Sequence, residues 1–257
     1  MYVNQFTYSC KDEPEHAIPE DFERRAAYFG PASCGYIRGV EFEQLVEIGR
    51  SCDAVIGLRF RPGDYTAKGG RAIAVYPCER DGPVLREKIL GAIVIGVHRT
   101  PMQDPEFPIR HLVEIGVRAL SPGTNDPYTA VAVVHRLSAS LSRLMERALP
   151  PGVFRDENGM VRVVCPRPSY MTLTGAALDQ IRQNGADKPL VVIHLLEAIA
   201  RISEHVKLLS QIEVLREQLQ IIGEDAEREI ASPADKADVR ERIEKTHCAI
   251  EGGRASV

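Results

Sequence analysis

The stretch Ala119-Leu120-Ser121-Pro122-Gly123-Thr124-Asn125-Asp126-Pro127-Tyr128 decides how the helical part of this chain folds. Pro122-Gly123 is typical of a turn, so one amphipathic helix ends here and another begins. Asp126 can cap the second helix by accepting a hydrogen bond from a free backbone N–H group. Pro127 suits the first helical turn, where no amide donor is needed. The stretch therefore predicts two core helices packed at a fixed angle, with Asp126 as the N-cap.

Helical periodicity continues on both sides of this turn. Apolar residues spaced by three or four predict helices over Phe107 to Leu120 and Pro127 to Leu149, and a further helix over Val84 to Val97. From Leu190 to Ile222, two apolar stripes follow one another with different phase. We predict a break near Ser203 to Lys207, because two antiparallel helices can bury such stripes without forming one long rod.

Short strands replace helices nearer the N-terminus. Alternating or β-branched segments over Tyr36 to Val40, Ala54 to Phe60 and Ala72 to Tyr76 are joined by glycine-rich turns. The segment PGDYTAKGGRAIAVY, residues 62–76, resembles half of a biotinyl or lipoyl-type barrel. It lacks anything similar to the lysine-bearing hairpin that such carriers modify, so we predict a structural module without a cofactor, and an unmodified Lys68.

These patterns predict an α+β fold, with a small β-rich N-terminal subdomain packed with a mostly α-helical C-terminal region. The predicted boundaries are a flexible leader at 1–34, a barrel-like subdomain at 35–83, a helical domain at 84–223 with a hairpin insertion near 153–164, and a charged helical tail at 224–257.

Charge and cysteine content argue against several classes of function. The 257 residues include 32 Lys and Arg against 36 Asp and Glu, a net charge of −4 without a dense basic block, so nucleic-acid binding has little electrostatic support. Six cysteines without a CxxC pair argue against a zinc site and a disulfide framework, and favour reduced thiols in the cytoplasm. The longest apolar run, Leu90 to Val97, is far shorter than the roughly 20 residues of a membrane-spanning helix.

A family resemblance rests on several segments of the chain. They are GYIRGVEFEQLVEIG (35–49), FRPGDY (60–65), RTPMQDPEFPIRHLVEIGVRA (99–119) and ALSPGTNDPYTAVAVVHRL (119–137). From about Phe29 to Gly223 the chain resembles the C-terminal portion of a bacterial membrane-protein family known as domain of unknown function 2254. The resemblance implies a membrane-embedded N-terminal block in such proteins, and hence a soluble part here that is held at the membrane. We expect this part on the cytoplasmic side because of the unpaired cysteines alone. It implies no biochemical activity.

The candidate site residues lie in and beside the turn: Arg118, Ser121, Thr124, Asn125 and Asp126. An arginine beside hydroxyl and amide donors, at the positive end of a helix, is suited to binding a small anion. Asp126 opposes this, because a capping carboxylate would occupy the position of that anion. The structural interpretation and the anion site both stay open, and no catalytic residue can be assigned.

Three classes of function remain. The first, which we favour, is a non-enzymatic assembly, gating or sensing module of a membrane protein. The second is an enzyme that uses the turn with Arg99, Asp104 or Arg118, and the third is a small-ligand sensor. The histidines lack an HExxH pattern or an i, i+4 pair, so no metal site is predicted.

The helical half is also expected to have a partner. One helix pair inside a monomer buries one apolar stripe more easily than two, so we predict self-association or docking to a membrane-embedded segment of the full-length protein. The competing account is an intramolecular antiparallel bundle that buries both stripes.

Overall fold

The structure is a computed structural model that describes residues 18–254. It divides into two compact units, of which the first comprises Met1–Phe107 with Pro150–Arg167, and the second Pro108–Leu149 with Pro168–Val257. Helices and mixed sheets are both present, which confirms the predicted α+β class. None of the helices within residues 18–254 combines the length and apolar character needed to cross a bilayer.

The described residues of the first unit form three α-helices and eight strands. The helices are α1 (Phe22–Arg25), α2 (Phe42–Ser51) and α3 (Pro83–Gly91). The strands are β1 (Ala27–Phe29), β2 (Gly35–Val40), β3 (Val55–Leu58), β4 (Tyr65–Thr66), β5 (Ile73–Tyr76), β6 (Ile93–Gly96), β7 (Val153–Arg155) and β8 (Val161–Val164).

These strands form two sheets, whereas the sequence predicted a barrel-like subdomain at 35–83. A five-stranded sheet has the order β1-β5-β3-β8-β7, and a three-stranded sheet has the order β4-β2-β6. All neighbours are antiparallel except β3 and β8, which run parallel with Ile56 opposite Val163. Ile37, Ile56, Ile73 and Val163 are buried in the core of this unit.

The hairpin predicted near 153–164 is present as β7 and β8, with Gly159 at a positive φ of 77° in its turn. It belongs to the first unit rather than to the helical region around it, because β8 pairs with β3. This pairing joins residues about a hundred positions apart, which local patterns in the sequence cannot reveal.

The helix predicted over Val84 to Val97 is only partly correct. The helix α3 ends at Gly91, and Ile93–Gly96 forms the strand β6 instead. Consecutive β-branched residues at 93–95 favour an extended backbone, and pairing with β2 provides the hydrogen bonds of a ladder.

The second unit consists of long helices. They are α4 (Glu106–Leu120), which begins in the last residues of the first unit, α5 (Pro127–Met145), α6 (Tyr170–Gly185), α7 (Pro189–Ser203), α8 (Leu209–Glu229) and α9 (Pro233–Arg254). Their apolar faces form one core around Leu137, Leu178, Leu195 and Leu215, all of which are fully buried.

The break predicted near Ser203 to Lys207 is confirmed, since α7 ends at Ser203 and α8 begins at Leu209. Both apolar stripes are buried inside the second unit, apart from Leu209, whose exposed fraction is 59%. The competing intramolecular bundle therefore describes this unit. Self-association stays a prediction, but it no longer follows from the stripes.

The two ends of the chain depart from their predicted descriptions. Within the predicted leader, Phe22–Arg25 is helical and β1 pairs with β5, while residues 1–17 lie outside the described residues. The predicted charged tail continues α8 and then forms α9. This last helix packs against α7 and α8, with Val239 and Ile250 buried and the Thr246 hydroxyl donating to the Leu196 carbonyl at 3.2 Å.

Candidate functional site

The turn between α4 and α5 is held by its own hydrogen bonds. The backbone N–H groups of Thr124 and Asn125 donate to the Ser121 carbonyl at 3.0 and 2.8 Å, and the N–H of Asp126 donates to the Ala119 carbonyl at 2.8 Å. Asn125 has a positive φ of 45°, a conformation that asparagine tolerates better than most residues. The structure thus brings Ser121, Thr124, Asn125 and Asp126 together in one compact turn.

Asp126 is the N-cap of α5, as predicted. Its carboxylate accepts from the Thr129 N–H at 3.1 Å and from the Thr129 hydroxyl at 2.6 Å. These bonds hold the pKa of Asp126 below its ordinary value, so the carboxylate stays charged at the helix N-terminus. The negative charge that this end of α5 attracts is therefore supplied by the chain itself.

Ser121, Thr124 and Arg118 also have partners within the chain. The Ser121 hydroxyl donates to the Arg118 carbonyl at 2.7 Å and lies 3.3 Å from the Thr124 hydroxyl. Arg118 is 78% exposed and pairs with Glu114 one helical turn earlier. An exposed pair of this kind contributes little to stability, and it directs the guanidinium along the surface of α4 rather than into the turn.

Replacing Asp126 by alanine is expected to lower the melting temperature by about 2–4 °C, because the cap bonds to Thr129 are lost while the turn keeps its backbone bonds. Replacement by serine, which can also cap, should recover most of the loss. Thermal unfolding followed by circular dichroism measures both variants. An unchanged melting temperature for the alanine variant would contradict the structural role.

A second constellation, which we call the α4 clamp, lies at the start of α4 and consists of Arg61, Arg99, Asp104 and Glu106. The Asp104 carboxylate accepts from the backbone N–H groups of Glu106 and Phe107 at 3.1 and 3.3 Å, so it caps α4 much as Asp126 caps α5. Asp104 is only 3% exposed. A buried carboxylate needs charged partners, which the two arginines provide.

The guanidinium of Arg99 donates to both oxygens of the Asp104 carboxylate, through Nε and through NH2, the latter at 3.1 Å. Arg99 also lies 3.5 Å from Glu106, whose other oxygen accepts from Arg61 at 2.6 Å. Burial alone would lower the pKa of Arg99, but Asp104 and Glu106 hold it above its ordinary value. Each arginine therefore neutralises a buried carboxylate, which is the arrangement of a structural clamp.

Two further residues hold the clamp in place on the first unit. The side-chain amide of Gln103 bonds to both the N–H and the carbonyl of Val40, at 2.9 and 3.1 Å, and so imitates a strand beside β2. Gly63 has a positive φ of 95°, and a Cβ at this position would collide with the Asp104 carboxylate. Sequence analysis identified Arg99 and Asp104 but missed Arg61, Gln103 and Glu106. The Asp104-Pro105 pair repeats the Asp126-Pro127 signal and would have located the cap.

A third constellation, the histidine pair, joins α5 and α7. His135 Nε2 lies 3.4 Å from His194 Nδ1, and the rings meet edge to face. His194 Nδ1 also lies 3.2 Å from Glu197, which pairs with Arg242 of α9 at 3.0 Å and lies 3.9 Å from Arg201. Burial, followed by the charges of Arg201 and His194, lowers the pKa of His135, and Glu197 only partly opposes them.

The histidine pair predicts a pH dependence of stability. Because the pKa of His135 is lower when folded than when unfolded, the unfolded chain binds the proton more readily, so the free energy of unfolding falls as the pH decreases below about 6.5. Replacing His135 by glutamine should remove this part of the dependence. Urea unfolding of both proteins at neutral pH and at mildly acidic pH gives the difference. The two proteins are compared by their free energies of unfolding. If the difference between these free energies is the same at both pH values, the role of His135 is contradicted.

Neither histidines nor cysteines form a metal centre within residues 18–254. In that range, no group of three or more His, Cys, Asp and Glu side chains is arranged to hold a metal ion. The described cysteines, at positions 34, 52, 78, 165 and 248, are free thiols. Burial raises the pKa of the Cys165 thiol to about 12, which keeps it protonated and makes it a poor nucleophile at neutral pH.

Comparison with known proteins finds a family whose matched region contains all three constellations. The family described as "Predicted membrane protein (DUF2254)" matches residues 4–201, a range that includes the turn, the α4 clamp and the histidine pair. Two relatives are uncharacterized proteins of Mycobacterium tuberculosis (strain ATCC 25618 / H37Rv) and Mycobacterium bovis. Each is 35% identical over 212 residues, which cover 80% of this chain and 40% of the relative. No solved structure matches the chain.

Proposed function

Because this chain belongs to the DUF2254 family of predicted membrane proteins, we propose that it acts outside the bilayer as an assembly module of a membrane protein. The curated relatives extend well beyond the matched region, since the chain corresponds to 40% of their length. The proposed module holds copies of the full-length protein together. It does so without performing a reaction of its own.

The observation that carries this proposal is that the candidate reactive groups form hydrogen bonds and ion pairs with other groups of the chain itself. At the turn, Asp126 binds Thr129 and Ser121 binds the Arg118 carbonyl, so neither is presented to a substrate. In the α4 clamp, Arg99 and Arg61 are neutralised by Asp104 and Glu106. A catalytic acid, base or nucleophile must instead reach a substrate atom.

An exposed aromatic residue beside the turn supports the assembly role. Tyr128, in the first turn of α5, is 72% exposed although the capped turn fixes its backbone. Tyrosine is enriched at protein interfaces, because it buries a large apolar area and keeps a hydroxyl for hydrogen bonding. We therefore assign Tyr128 to the proposed assembly surface.

The test uses the full-length gene product in its own bacterium, with a C-terminal tag. We expect the tagged protein to remain in the membrane fraction, and a short amine-reactive cross-linker to produce a dimer or higher species. Replacing Tyr128 by glutamate should lower the cross-linked yield. The same change at Leu209, an exposed apolar residue of the same unit, is the control and should leave the yield unchanged.

Three outcomes would contradict the proposal. The first is a tagged protein found entirely in the cytosolic or extracellular fraction. The second is a membrane-bound protein that yields only the monomer after cross-linking. The third is an equal loss of cross-linking in the Tyr128 and Leu209 variants.

A further inference from the structure

We propose that a cleft on the first unit binds the headgroups of anionic phospholipids, an inference that rests on the proposed function because it requires the chain to work beside a bilayer. The cleft has a volume of about 420 Å³ and opens between the end of β3, the strand β4 and the loop before β5. Arg59, Tyr65, Thr66 and Gly69 are among the residues that line it. We call it the β4 cleft.

One cation lines the β4 cleft and two more are adjacent in sequence to residues that line it. Arg59 lines it, Lys68 lies between the lining residues Ala67 and Gly69, and Arg71 precedes the lining residue Ala72. Lys68 and Arg71 are exposed and have no ion-pair partner within residues 18–254. Unpaired cations beside a cleft are suited to phosphate groups.

The arginines are held in position by an aromatic ring. The guanidinium carbons of Arg71 and Arg59 lie 3.9 and 4.6 Å from the ring centroid of Tyr28. Arg59 also donates to the Tyr28 hydroxyl at 3.2 Å and pairs with Glu23. Because stacking leaves the edge of a guanidinium available, Arg71 can still donate hydrogen bonds to an anion.

The loop that carries Lys68 is fixed to its neighbours. The backbone N–H of Lys68 donates to the Cys34 sulfur at 3.2 Å, and that of Gly69 donates to the Pro31 carbonyl at 2.8 Å. Gly69 and Gly70 both have positive φ, and no atom lies within 4 Å of where a Cβ of either would stand. The loop is therefore anchored from behind, while its outer side is open.

Aromatic side chains next to the cations favour a bilayer over a free anion. Tyr65 lines the β4 cleft, is 63% exposed, and contacts Tyr36 edge to face with ring centroids 5.2 Å apart. On the same face of the three-stranded sheet, Val94 is exposed. Tyrosine beside basic residues is typical of the membrane–water interface, where the ring enters the headgroup layer and the cations meet phosphate.

The acidic groups near the β4 cleft are already engaged. The Asp64 carboxylate accepts from the Arg61 N–H at 2.9 Å and lies 3.8 Å from the Arg61 side chain, while Glu23 binds Arg59. The chain as a whole is acidic, with a net charge of −4, so attraction to an anionic surface must be local. A bilayer that contacts this face meets Lys68 and Arg71 within the short range of screened electrostatics.

The experiment is co-sedimentation of the intact chain with sucrose-loaded vesicles, made either of phosphatidylcholine alone or with one quarter phosphatidylglycerol. We expect binding only to the vesicles with phosphatidylglycerol. Lys68→Glu should weaken this binding at least about fivefold, since one basic residue near the surface contributes about that factor. Lys88→Glu makes the same change of charge on α3 of the same unit and should bind like the unchanged chain.

Folding of each variant is checked by circular dichroism, and Lys68→Gln replaces the glutamate variant if that one is unfolded. Absence of binding by the unchanged chain would overturn the proposal, as would equal losses in the Lys68 and Lys88 variants. Displacement by millimolar inorganic phosphate at constant ionic strength would assign the cleft to a free anion instead of a bilayer. The chain could fail to bind vesicles while the full-length protein is found membrane-bound and cross-linked in the bacterium. That combination would refute the lipid-binding role of the β4 cleft and leave the proposed function intact.

Discussion

Replacing Asp104 by alanine is expected to lower the free energy of unfolding by about 3 kcal/mol, near the lower end of the range for breaking a buried ion pair. The substitution removes the partner of Arg99, which is only 20% exposed, and the cap of α4. Among the residues that the structure describes, Arg99 then keeps only its longer contact, with Glu106. Urea unfolding followed by far-ultraviolet circular dichroism measures the effect, which suits a chain without tryptophan.

The Asp104→Asn variant separates the two roles of this carboxylate. The oxygen of the new amide can still accept from the N–H groups of Glu106 and Phe107, so the cap survives, but the charge that neutralises Arg99 is lost. We expect this variant to recover the smaller, capping part of the stability only. If it is as stable as the unchanged chain, the pairing with Arg99 contributes nothing and the clamp interpretation is wrong.

The two Asp-Pro caps show what sequence patterns can predict. Asp126-Pro127 identified a helix start, and the structure confirms it. Asp104-Pro105 carries the same signal, but unlike Asp126 it lies among arginines. Arg99 comes from a loop and Arg61 from the turn after β3. Capping depends on adjacent residues and is visible in a sequence. The burial of Asp104 depends on contacts across the fold, so it cannot be seen in the sequence.

The same distinction explains the sheets. Short strands and their turns were predicted because alternation and glycine are local signals. The pairing of β3 with β8, which brings Val163 beside Ile56, spans a helical region and leaves no local trace. For this reason the class of the fold followed from the sequence, while the membership of the hairpin in the first unit did not.

The helix α8 buries polar residues as well as its apolar stripe. Gln211, Gln218 and Asp225 recur every seven residues and are all buried. Gln211 donates to the Met145 carbonyl at 3.0 Å, Gln218 donates to Asp179 at 3.2 Å, and Asp225 pairs with Arg182. An apolar count treats such positions as solvent-facing. The face of α8 that contacts its neighbours is therefore wider than its apolar stripe suggests.

That wider buried face changes what substitutions in α8 should do. Leu215 is fully buried in the core of the second unit, whereas Leu209, at the start of the same helix, is 59% exposed. Leu215→Ala leaves a cavity and is expected to lower the free energy of unfolding by about 2–5 kcal/mol. Leu209→Ala, the matched control, should change it by less than about 0.5 kcal/mol.

Light scattering on the same two variants separates stability from assembly. If the stripes serve only the core, Leu215→Ala weakens folding without changing the oligomeric state of the folded protein, and Leu209→Ala changes neither. Leu209→Ala could instead lose more stability than the small change expected above, at a protein concentration where this variant also dissociates. That result would mean that the exposed start of α8 contacts another chain. In that case the self-association expected from the sequence would hold through Leu209, although the stripes themselves are buried within one unit.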